Sequence, residues 1–306
     1  MKLLFLTVLV SASIGAAPLK VLSYSSLLGK DSLGEFLEQE FPKFCSGCAV
    51  QFKSTDEMSG LLGKLRTEKS RKKHTQFDAV LGLDSHHYTL ARKEGLINIG
   101  RPFDKSPFAF IVDTEKLAQK DWPKSWGELK NKLAGQVFIS DPRLSSPGFG
   151  WLRSINLEKL QSLGDSKLLV KRVFPSWSGA YSAFTKGESV AVWSYLSSQA
   201  YHMCNEKTVA QQNRYRALPL KEGYPEQVEY FAEASFSQHP MAKDFARFLT
   251  SPLVQSAIPL KNWMFPVVAG TPLPECFKGL APVNSLASEP NFSKEDVQIW
   301  TDQWAL

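Results

Sequence analysis

The order of strand and helix patterns restricts the fold of this chain more than any other feature. In the first hundred residues, strand patterns at 19–24, 49–53 and 77–83 alternate with helix patterns. The third strand pattern (F-D-A-V-L-G-L) is nearly all apolar, as expected for a strand buried on both faces of a parallel sheet. This β-α-β-α-β-α order predicts a doubly wound α/β unit with a parallel sheet.

A second series of strand and helix patterns covers about 109–230, and a helix pattern at 240–250 follows it. This order predicts a first lobe, a second lobe and a return to the first, with crossing strands that form a hinge. We therefore predict an α/β two-lobe clamshell fold, in which each lobe is a β-sheet flanked by helices and the ligand lies in the interlobe cleft. The predicted boundaries are 18–108 plus 234–306 for lobe 1 and 109–233 for lobe 2.

The first 17 residues have the pattern of a secretory signal peptide. Lys2 precedes an apolar run at 3–10, and small residues follow, with a cleavage site near Gly15, Ala16 or Ala17. No cysteine follows the apolar run, so we do not expect a lipid anchor. No other segment has the roughly 18 apolar residues of a membrane span. The sequence therefore predicts an exported, soluble protein.

The positive charge of the chain does not indicate a nucleic-acid partner. The formal net charge is +6, and it becomes +5 when the predicted leader with Lys2 is removed. The densest basic run, K-L-R-T-E-K-S-R-K-K at 64–73, lies on a predicted helix and its exit, where a solvated helix face explains it. Because no nucleic-acid-binding motif accompanies this run, we expect no nucleic-acid partner.

Four cysteines remain in a chain predicted to be exported, which indicates disulfides. Cys45 and Cys48 have C-x-x-C spacing but lie between a helix and a strand, whereas a thioredoxin-type motif opens a helix after a strand. A second C-x-x-C for zinc is absent. We interpret this pair as a local structural disulfide. A Cys204–Cys276 bridge is possible, but the sequence does not decide it.

The segment 174–203 contains the densest group of candidate binding residues. A helix pattern at 179–184 is followed by a strand pattern at 190–193. Ligands of α/β sheets lie beyond the carboxyl ends of strands, so the residues after this strand are candidates for a binding wall. They are Tyr195, Ser197, Ser198 and Tyr201 in one short loop, preceded by Trp177. The alternative is that these rings belong to the core.

Other polar and aromatic residues have two open interpretations. Ser145 and Ser146 precede a proline suited to a first helical turn, where they could hold an anion or carbonyl or could only cap the helix. Asp84 at a strand end is either a pocket carboxylate or an N-cap. His86 and His87 point in different directions, so we do not expect a shared metal.

Six segments resemble the periplasmic thiamine-binding proteins of bacterial ABC importers. They are A-V-L-G-L-D (79–84), D-P-R-L-S-S-P-G-F-G (141–150), W-S-G-A-Y (177–181), K-G-E-S (186–189), S-Y-L-S-S-Q-A-Y-H (194–202) and A-I-P-L-K-N-W-M-F-P-V (257–267). The resemblance implies the type II periplasmic-binding-protein fold and a receptor for thiamine and its mono- and diphosphate. It further implies a periplasmic monomer that serves an inner-membrane ABC permease and its ATPase, with no cofactor and no metal.

The same resemblance implies a set of ligand-binding residues. These are Glu57 and Met58 from lobe 1; Ser145, Ser146, Trp177, Tyr195, Leu196, Ser197 and Ser198 from lobe 2; and Tyr24, Tyr201 and Trp263 as aromatic walls. The family commonly has Asp-Gly where this chain has Glu57-Met58. The carboxylate is kept on a longer side chain, but the close backbone approach of the glycine is not.

Two other functions are alternatives to the binding of thiamine. A ferric-ion receptor of the same fold needs paired phenolates with a carboxylate or histidine, and Tyr195 and Tyr201 are not adjacent in the chain. A thiaminase would need a nucleophilic cysteine in the cleft, for which Cys204 is the candidate without an evident base. We therefore predict a binding protein and not an enzyme, with a ferric-ion or other small-solute receptor as the alternative.

Overall fold

The computed structural model describes residues 17–55, 58–71, 76–157, 167–280, 285–286 and 302. The predicted signal peptide, apart from Ala17, and the candidate Glu57 lie outside these residues. Of the helices in the described part of the chain, none is long and apolar enough to cross a membrane.

Strands and helices alternate through most of the described chain. The strands are β1 (Leu19–Tyr24), β2 (Val50–Thr55), β3 (Ala79–Asp84), β4 (Arg101–Asp113), β5 (Val137–Ser140), β6 (Val170–Phe174), β7 (Ala191–Tyr195), β8 (Tyr215–Ala217), β9 (Tyr224–Glu233), β10 (Phe265–Pro266) and β11 (Ser285–Leu286). The α-helices are α1 (Leu33–Phe44), α2 (Met58–Lys69), α3 (Ser85–Lys93), α4 (Trp126–Leu133), α5 (Ser146–Leu157), α6 (Trp177–Thr185), α7 (Ser197–Asn205), α8 (Val209–Gln212), α9 (Ala242–Leu249), α10 (Pro252–Lys261) and α11 (Glu275–Lys278). Short 3-10 helices cover Ser25–Leu28 and Gln119–Asp121.

The sheet is mixed rather than parallel throughout. Its strand order is β2-β1-β3-β9-β4-β7-β5-β6. Strand β1 runs parallel to β2 and β3, and β5 runs parallel to β6 and β7. Strand β9 is antiparallel to both β3 and β4, so the prediction of a parallel sheet is correct for the first three strands and wrong for the strand beside them. The chain order explains this: β9 returns from the second lobe and enters the sheet in the opposite direction.

Strands β4 and β9 connect the two halves of the molecule. The first part of β4, Arg101–Pro107, pairs with β9, and the second part, Phe108–Val112, pairs with β7. The sequence predicted only the second part, because two prolines and several polar residues interrupt the apolar pattern of the first. A buried cluster drawn from 108–224 lies on one side of this crossing, and two clusters from 19–103 and 231–264 lie on the other. The predicted lobe boundaries fall at these strands and stay a prediction.

Two predicted element boundaries are wrong. The sequence predicts a helix from Asp31 to Phe41 that ends before Pro42, but α1 continues to Phe44 with the proline inside its last turn. The buried Phe41 packs there against Phe245 and Phe248, and this packing offsets the hydrogen bond that the proline removes. The residues after β7 form helix α7 rather than a loop, so Tyr201 lies more than one turn inside a helix.

Both cysteine pairs form disulfides. The Cys45–Cys48 bond confirms the local disulfide that the sequence indicated. The Cys204–Cys276 bond, which the sequence left open, joins α7 to α11 across 72 residues of chain. The described part of the chain contains no free cysteine.

Candidate functional site

A cleft of about 800 Å³ lies between the carboxyl ends of β1 and β7 and the segment that follows α10. Eight residues predicted from the sequence line it: Tyr24, Ser146, Trp177, Tyr195, Ser197, Ser198, Tyr201 and Trp263. The fold therefore brings together side chains that are separated by up to 239 positions in the chain. Strand ends and helix starts supply most of them, as is usual in α/β sheets.

Of the other four predicted residues, the two whose side chains the structure describes do not line this cleft. Ser145 and Leu196 are buried behind its wall, at 3% and 5% exposure. Met58 is the first residue of α2, and only its backbone is described. Glu57 lies outside the described residues, so its predicted contact stays a prediction.

Trp177 forms a fixed aromatic wall on the side of the second lobe. Its indole Nε1 donates to Ser194 Oγ at 2.8 Å, and the Ser194 and Ser198 hydroxyl oxygens lie 2.8 Å apart. The indole is stacked at 5.4 Å on Tyr181 and meets the ring of Tyr195 edge-on at 5.9 Å. These contacts hold the ring in one orientation before any ligand arrives, which lowers the ordering cost of binding.

Tyr201 and Trp263 form a second aromatic pair at the edge of the cleft. Their ring centroids lie 4.9 Å apart with an interplanar angle of 77°. Trp263 has φ of 53°, a left-handed conformation that non-glycine residues rarely adopt. Such outliers concentrate at ligand-binding sites, where the surrounding structure imposes them. Because Tyr201 belongs to α7 and Trp263 to the return segment, this pair bridges the cleft.

The two serines that precede Pro147 have different roles. Ser145 Oγ donates to Ser140 Oγ and accepts from Gly148 N at 3.2 Å, so it caps α5. Gly148 is required here because a Cβ atom would lie 2.4 Å from the carbonyl oxygen of Ser140. For Ser145, the structure therefore favours capping over ligand binding. Ser146 faces the cleft and donates a hydrogen bond to Asp84.

Of the two roles that the sequence left open for Asp84, the structure shows the N-cap, and the side chain does not line the cleft. Its Oδ1 accepts from the His87 backbone at 2.8 Å, which makes it the N-cap of α3. Burial alone would raise the pKa of Asp84, but the imidazole of His87, 2.9 Å from Oδ1, holds it below its ordinary value. The same pair raises the pKa of His87 against the opposing effect of burial. Asp84 is thus a charged residue that orients Ser146.

A buried network lies at the floor of the cleft, and Tyr24 is its one member that the sequence predicted. Glu229 Oε2 accepts from the Tyr24 hydroxyl at 2.7 Å, and Glu229 Oε1 accepts from Gln227 Nε2 at 2.7 Å. Asn262 Nδ2 donates to Asp104 Oδ2 at 2.6 Å and to the Tyr24 hydroxyl oxygen at 3.2 Å. Glu229 belongs to a buried strand and lines the cleft at 3% exposure. The available signal was a glutamate within the short apolar stretch V-E-Y-F-A at 228–232.

The two carboxyl groups of this network are hard to ionise together. Burial raises the pKa of Glu229 to about 8. Burial, followed by repulsion from Glu229, raises the pKa of Asp104 well above its ordinary value. Among the described residues, no lysine, arginine or histidine forms an ion pair with either of them. The cleft floor therefore has an unbalanced negative charge whenever both groups ionise.

The described residues offer no conventional metal centre in this cleft. In that part of the chain, the one group of three His, Cys, Asp or Glu whose ligand atoms lie within 4.8 Å of one another is Cys45, Cys48 and Asp244. The two cysteines of this group form a disulfide. The hydroxyl of Tyr195, a candidate iron ligand, donates to Gln227 Oε1 at 3.1 Å, and burial raises its pKa well above the ordinary value.

The two-lobe α/β fold with an aromatic and polar cleft defines a periplasmic-type solute-binding protein. The chain belongs to the family of bacterial extracellular solute-binding proteins, whose family model matches residues 46–259. It is 35% identical over 334 residues to a thiamine-binding periplasmic protein of Brucella melitensis biotype 1, covering 98% of this chain and 96% of that protein.

Solved structures agree with the fold class. A periplasmic thiamin binding protein superposes with a TM-score of 0.78 at 32% identity, covering 94% of this chain and 95% of that one. Iron-bound HitA from Pseudomonas aeruginosa superposes with a TM-score of 0.74 at 14% identity, covering 95% of this chain and 100% of that one. At that identity the second likeness shows the fold alone. The predicted type II clamshell is confirmed.

Proposed function

We propose that this protein binds thiamine, together with its mono- and diphosphate, and delivers it to an ABC importer. The named relative and the thiamin-binding structure cover nearly the whole chain at 32–35% identity, which supports this ligand class. The proposal depends on the chemical composition of the cleft. The cleft combines an aromatic wall on each side with a buried carboxyl group that has no cationic partner among the described residues.

The aromatic walls suit a flat cation. Trp177 and Tyr195 lie on one side of the cleft, and Tyr201 and Trp263 lie at its edge. A cation over a desolvated aromatic ring gains about 2 kcal/mol, and a stacked ring pair adds ~0.5–1.5 kcal/mol. The thiazolium and aminopyrimidine rings of thiamine would use both interactions. A hydrogen bond from the ligand to a charged carboxylate would add about 1.5–3 kcal/mol.

Phosphorylated forms fit the polar end of the same cleft. Ser197 and Ser198 offer hydroxyl groups at the first turn of α7, and amide groups at the starts of α5 and α7 favour anions. Lys30 and Lys261 also line the cleft. These groups would accept a hydroxyethyl or phosphate tail without an arginine clamp. We therefore expect binding of thiamine and of both phosphates.

Calorimetry with the purified mature protein tests the proposal. We expect saturable one-to-one heats with thiamine, thiamine monophosphate and thiamine diphosphate, and none with ferric citrate. A change in tryptophan emission on adding thiamine would accompany the heats. Ferric citrate binding without a response to any thiamine compound would instead support the alternative receptor.

An enzymatic function has no support in this cleft. Cys204, the candidate nucleophile of a thiaminase, is bonded to Cys276 and has no thiol to ionise. We propose a transport component without catalytic activity, and incubation with thiamine should yield no product by chromatography.

The transport role extends to location and partners. The relative in Brucella melitensis is named as periplasmic, and the amino-terminal pattern of this chain predicts export. We propose that the mature protein is a periplasmic monomer that docks on an inner-membrane permease with its ATPase. Export can be checked by following the size and the cellular fraction of the full-length chain in a bacterial host.

A further inference from the structure

Among the described residues, no cationic side chain pairs with the two buried acids at the floor of the cleft. Asp104 is fully buried on β4, and Glu229 lines the cleft from β9 at 3% exposure. Asn262 donates to Asp104 Oδ2, whereas Asp104 Oδ1 has no hydrogen-bond partner in the described structure. Leaving an ionised carboxylate buried and unpaired is costly, so the empty cleft favours a neutral form for part of the pair.

The groups around the pair do not supply the missing positive charge. Tyr24 on β1 and Gln227 on β9 donate neutral hydrogen bonds to Glu229. Asp84 on β3 adds a further negative charge that disfavours ionisation of Glu229. His87 on α3 forms an ion pair with Asp84 and balances the negative charge of that residue. Tyr195 on β7 donates to Gln227.

We propose that a cationic ligand displaces a proton held by the Asp104–Glu229 pair, and that Glu229 thereby selects cations over neutral molecules of the same shape. The proton passes to solvent, and the ligand's fixed positive charge takes its place beside the carboxylate. Total charge in the closed cleft is then unchanged, so binding avoids burying a net charge. The inference rests on the proposed function, because it takes the ligand to be a ring cation.

Proton release from the Asp104–Glu229 pair should occur in a pH range in which binding can be measured. Burial raises the pKa of Glu229 to about 8, so at neutral pH the empty protein holds most of one proton there. A ligand that prefers the ionised form must release that proton. Affinity should therefore increase as the pH rises from 6 towards 8, and level off above it. The affinity can increase by at most about tenfold for each pH unit, which is reached when one full proton is released.

The direct test counts protons on the wild-type protein. Thiamine is titrated at pH 7 in buffers with different enthalpies of ionisation, and the titration of free thiamine is subtracted. We expect the release of roughly 0.5–1 proton for each thiamine bound, falling towards zero at pH 9. Binding without any buffer-dependent heat overturns the inference but leaves the proposed function standing. An absence of thiamine binding overturns both.

A neutral isostere tests the charge selection. In this compound the quaternary nitrogen of the thiazolium ring is replaced by carbon, so that shape is kept and charge is lost. We expect the wild-type protein to prefer thiamine over the isostere by at least tenfold at pH 8, and the isostere to release no proton. Equal affinities for the two compounds contradict a selecting role for Glu229.

Two matched variants distinguish an effect of the Glu229 carboxylate from a general effect of altering β9. Glu229→Gln should reduce the preference for the cation at least tenfold, flatten the pH dependence and lower the proton count. Glu226→Gln makes the same chemical change three positions earlier on β9, where the carboxylate pairs with Lys105. This control should keep the wild-type preference and proton count. If Glu229→Gln does not fold, the proton count and the isostere on the wild type still decide the question.

Discussion

At the scale of single residues, the candidate site depends on side chains whose positions are fixed by their neighbours. Trp177 is held by a hydrogen bond to Ser194 and by stacking on Tyr181. Glu229 is held by Tyr24 and Gln227. In both cases neutral hydrogen bonds from neighbouring side chains set the orientation of the group that faces the cleft, so we expect the loss of one of these bonds to alter affinity.

Replacing Trp177 by phenylalanine tests the pre-oriented ring. The variant keeps an aromatic face but loses the donor to Ser194, so we expect thiamine affinity to fall by about 1 kcal/mol, or roughly fivefold. Trp122→Phe is the matched control, because its indole donates to Leu117 O and does not line the cleft. Calorimetry at constant pH measures both. An unchanged affinity in Trp177→Phe would argue that the hydrogen bond does not orient the ring.

Glu229 also makes the stability of the empty protein dependent on pH. Its pKa is raised by burial to about 8 in the folded state, above its unfolded value. Between the unfolded and the folded pKa, the folded state holds a proton that the unfolded state has released. The contribution of Glu229 to the free energy of unfolding is therefore present at acidic pH and is lost as the pH rises through about 8. Between pH 6 and pH 9 the loss of stability from this group is on the order of 3 kcal/mol.

Urea denaturation of the ligand-free protein at pH 6 and pH 9 measures this effect. We expect the wild type to be less stable at pH 9, and Glu229→Gln to show a smaller difference between the two pH values. Glu226→Gln should follow the wild type. A wild-type stability that increases from pH 6 to pH 9 would contradict the raised pKa.

At the scale of elements, helix α7 connects the cleft to helix α11. It presents Ser197, Ser198 and Tyr201 to the cleft, and its last turn holds Cys204, which is bonded to Cys276 in α11. Gly279, just after α11, lies against Met203: a Cβ at this glycine would be 2.6 Å from the Met203 methyl carbon. The disulfide thus anchors the helix that carries one of the two bridging rings.

The two disulfides should differ in their effect on stability. Loss of the Cys204–Cys276 bond in a double serine variant frees a loop of 72 residues, for which chain entropy predicts a cost of about 4 kcal/mol. The Cys45–Cys48 bond closes a three-residue separation and constrains the unfolded chain much less. Urea denaturation of the two double variants makes the comparison. Equal losses would show that chain entropy does not govern these bonds.

At the scale of the whole molecule, β4 and β9 are the elements through which the lobes can rotate. Strand β4 pairs with β7 in the second half of the molecule, and β9 pairs with β3 in the first half. The two strands also pair with each other. The cleft lies over them, and Trp263 and Tyr201 meet across it. Hinge closure around a ligand is a common motion of such folds.

Closure should be visible in solution scattering. We expect the radius of gyration of the wild-type protein to decrease when thiamine is added at saturation, because the closed cleft excludes solvent from between the lobes. Trp177→Ala at the same thiamine concentration should show little or no decrease. A radius of gyration that is unchanged in the wild type, at a concentration where calorimetry shows saturation, would mean that the cleft is already closed when empty.

Local patterns in the sequence were enough to predict the α/β class and the clamshell order, and together with the family resemblance they predicted eight residues of the cleft wall. Alternating polarity and strand ends are local properties, and a strand end marks a binding edge wherever the strand lies in the sheet. Tertiary structure decided the antiparallel entry of β9, the pairing of Cys204 with Cys276, and the meeting of Asp104, Glu229, Tyr24 and Asn262 at the cleft floor. Those features depend on contacts between residues far apart in the chain, and a raised pKa depends on burial that only the assembled fold provides.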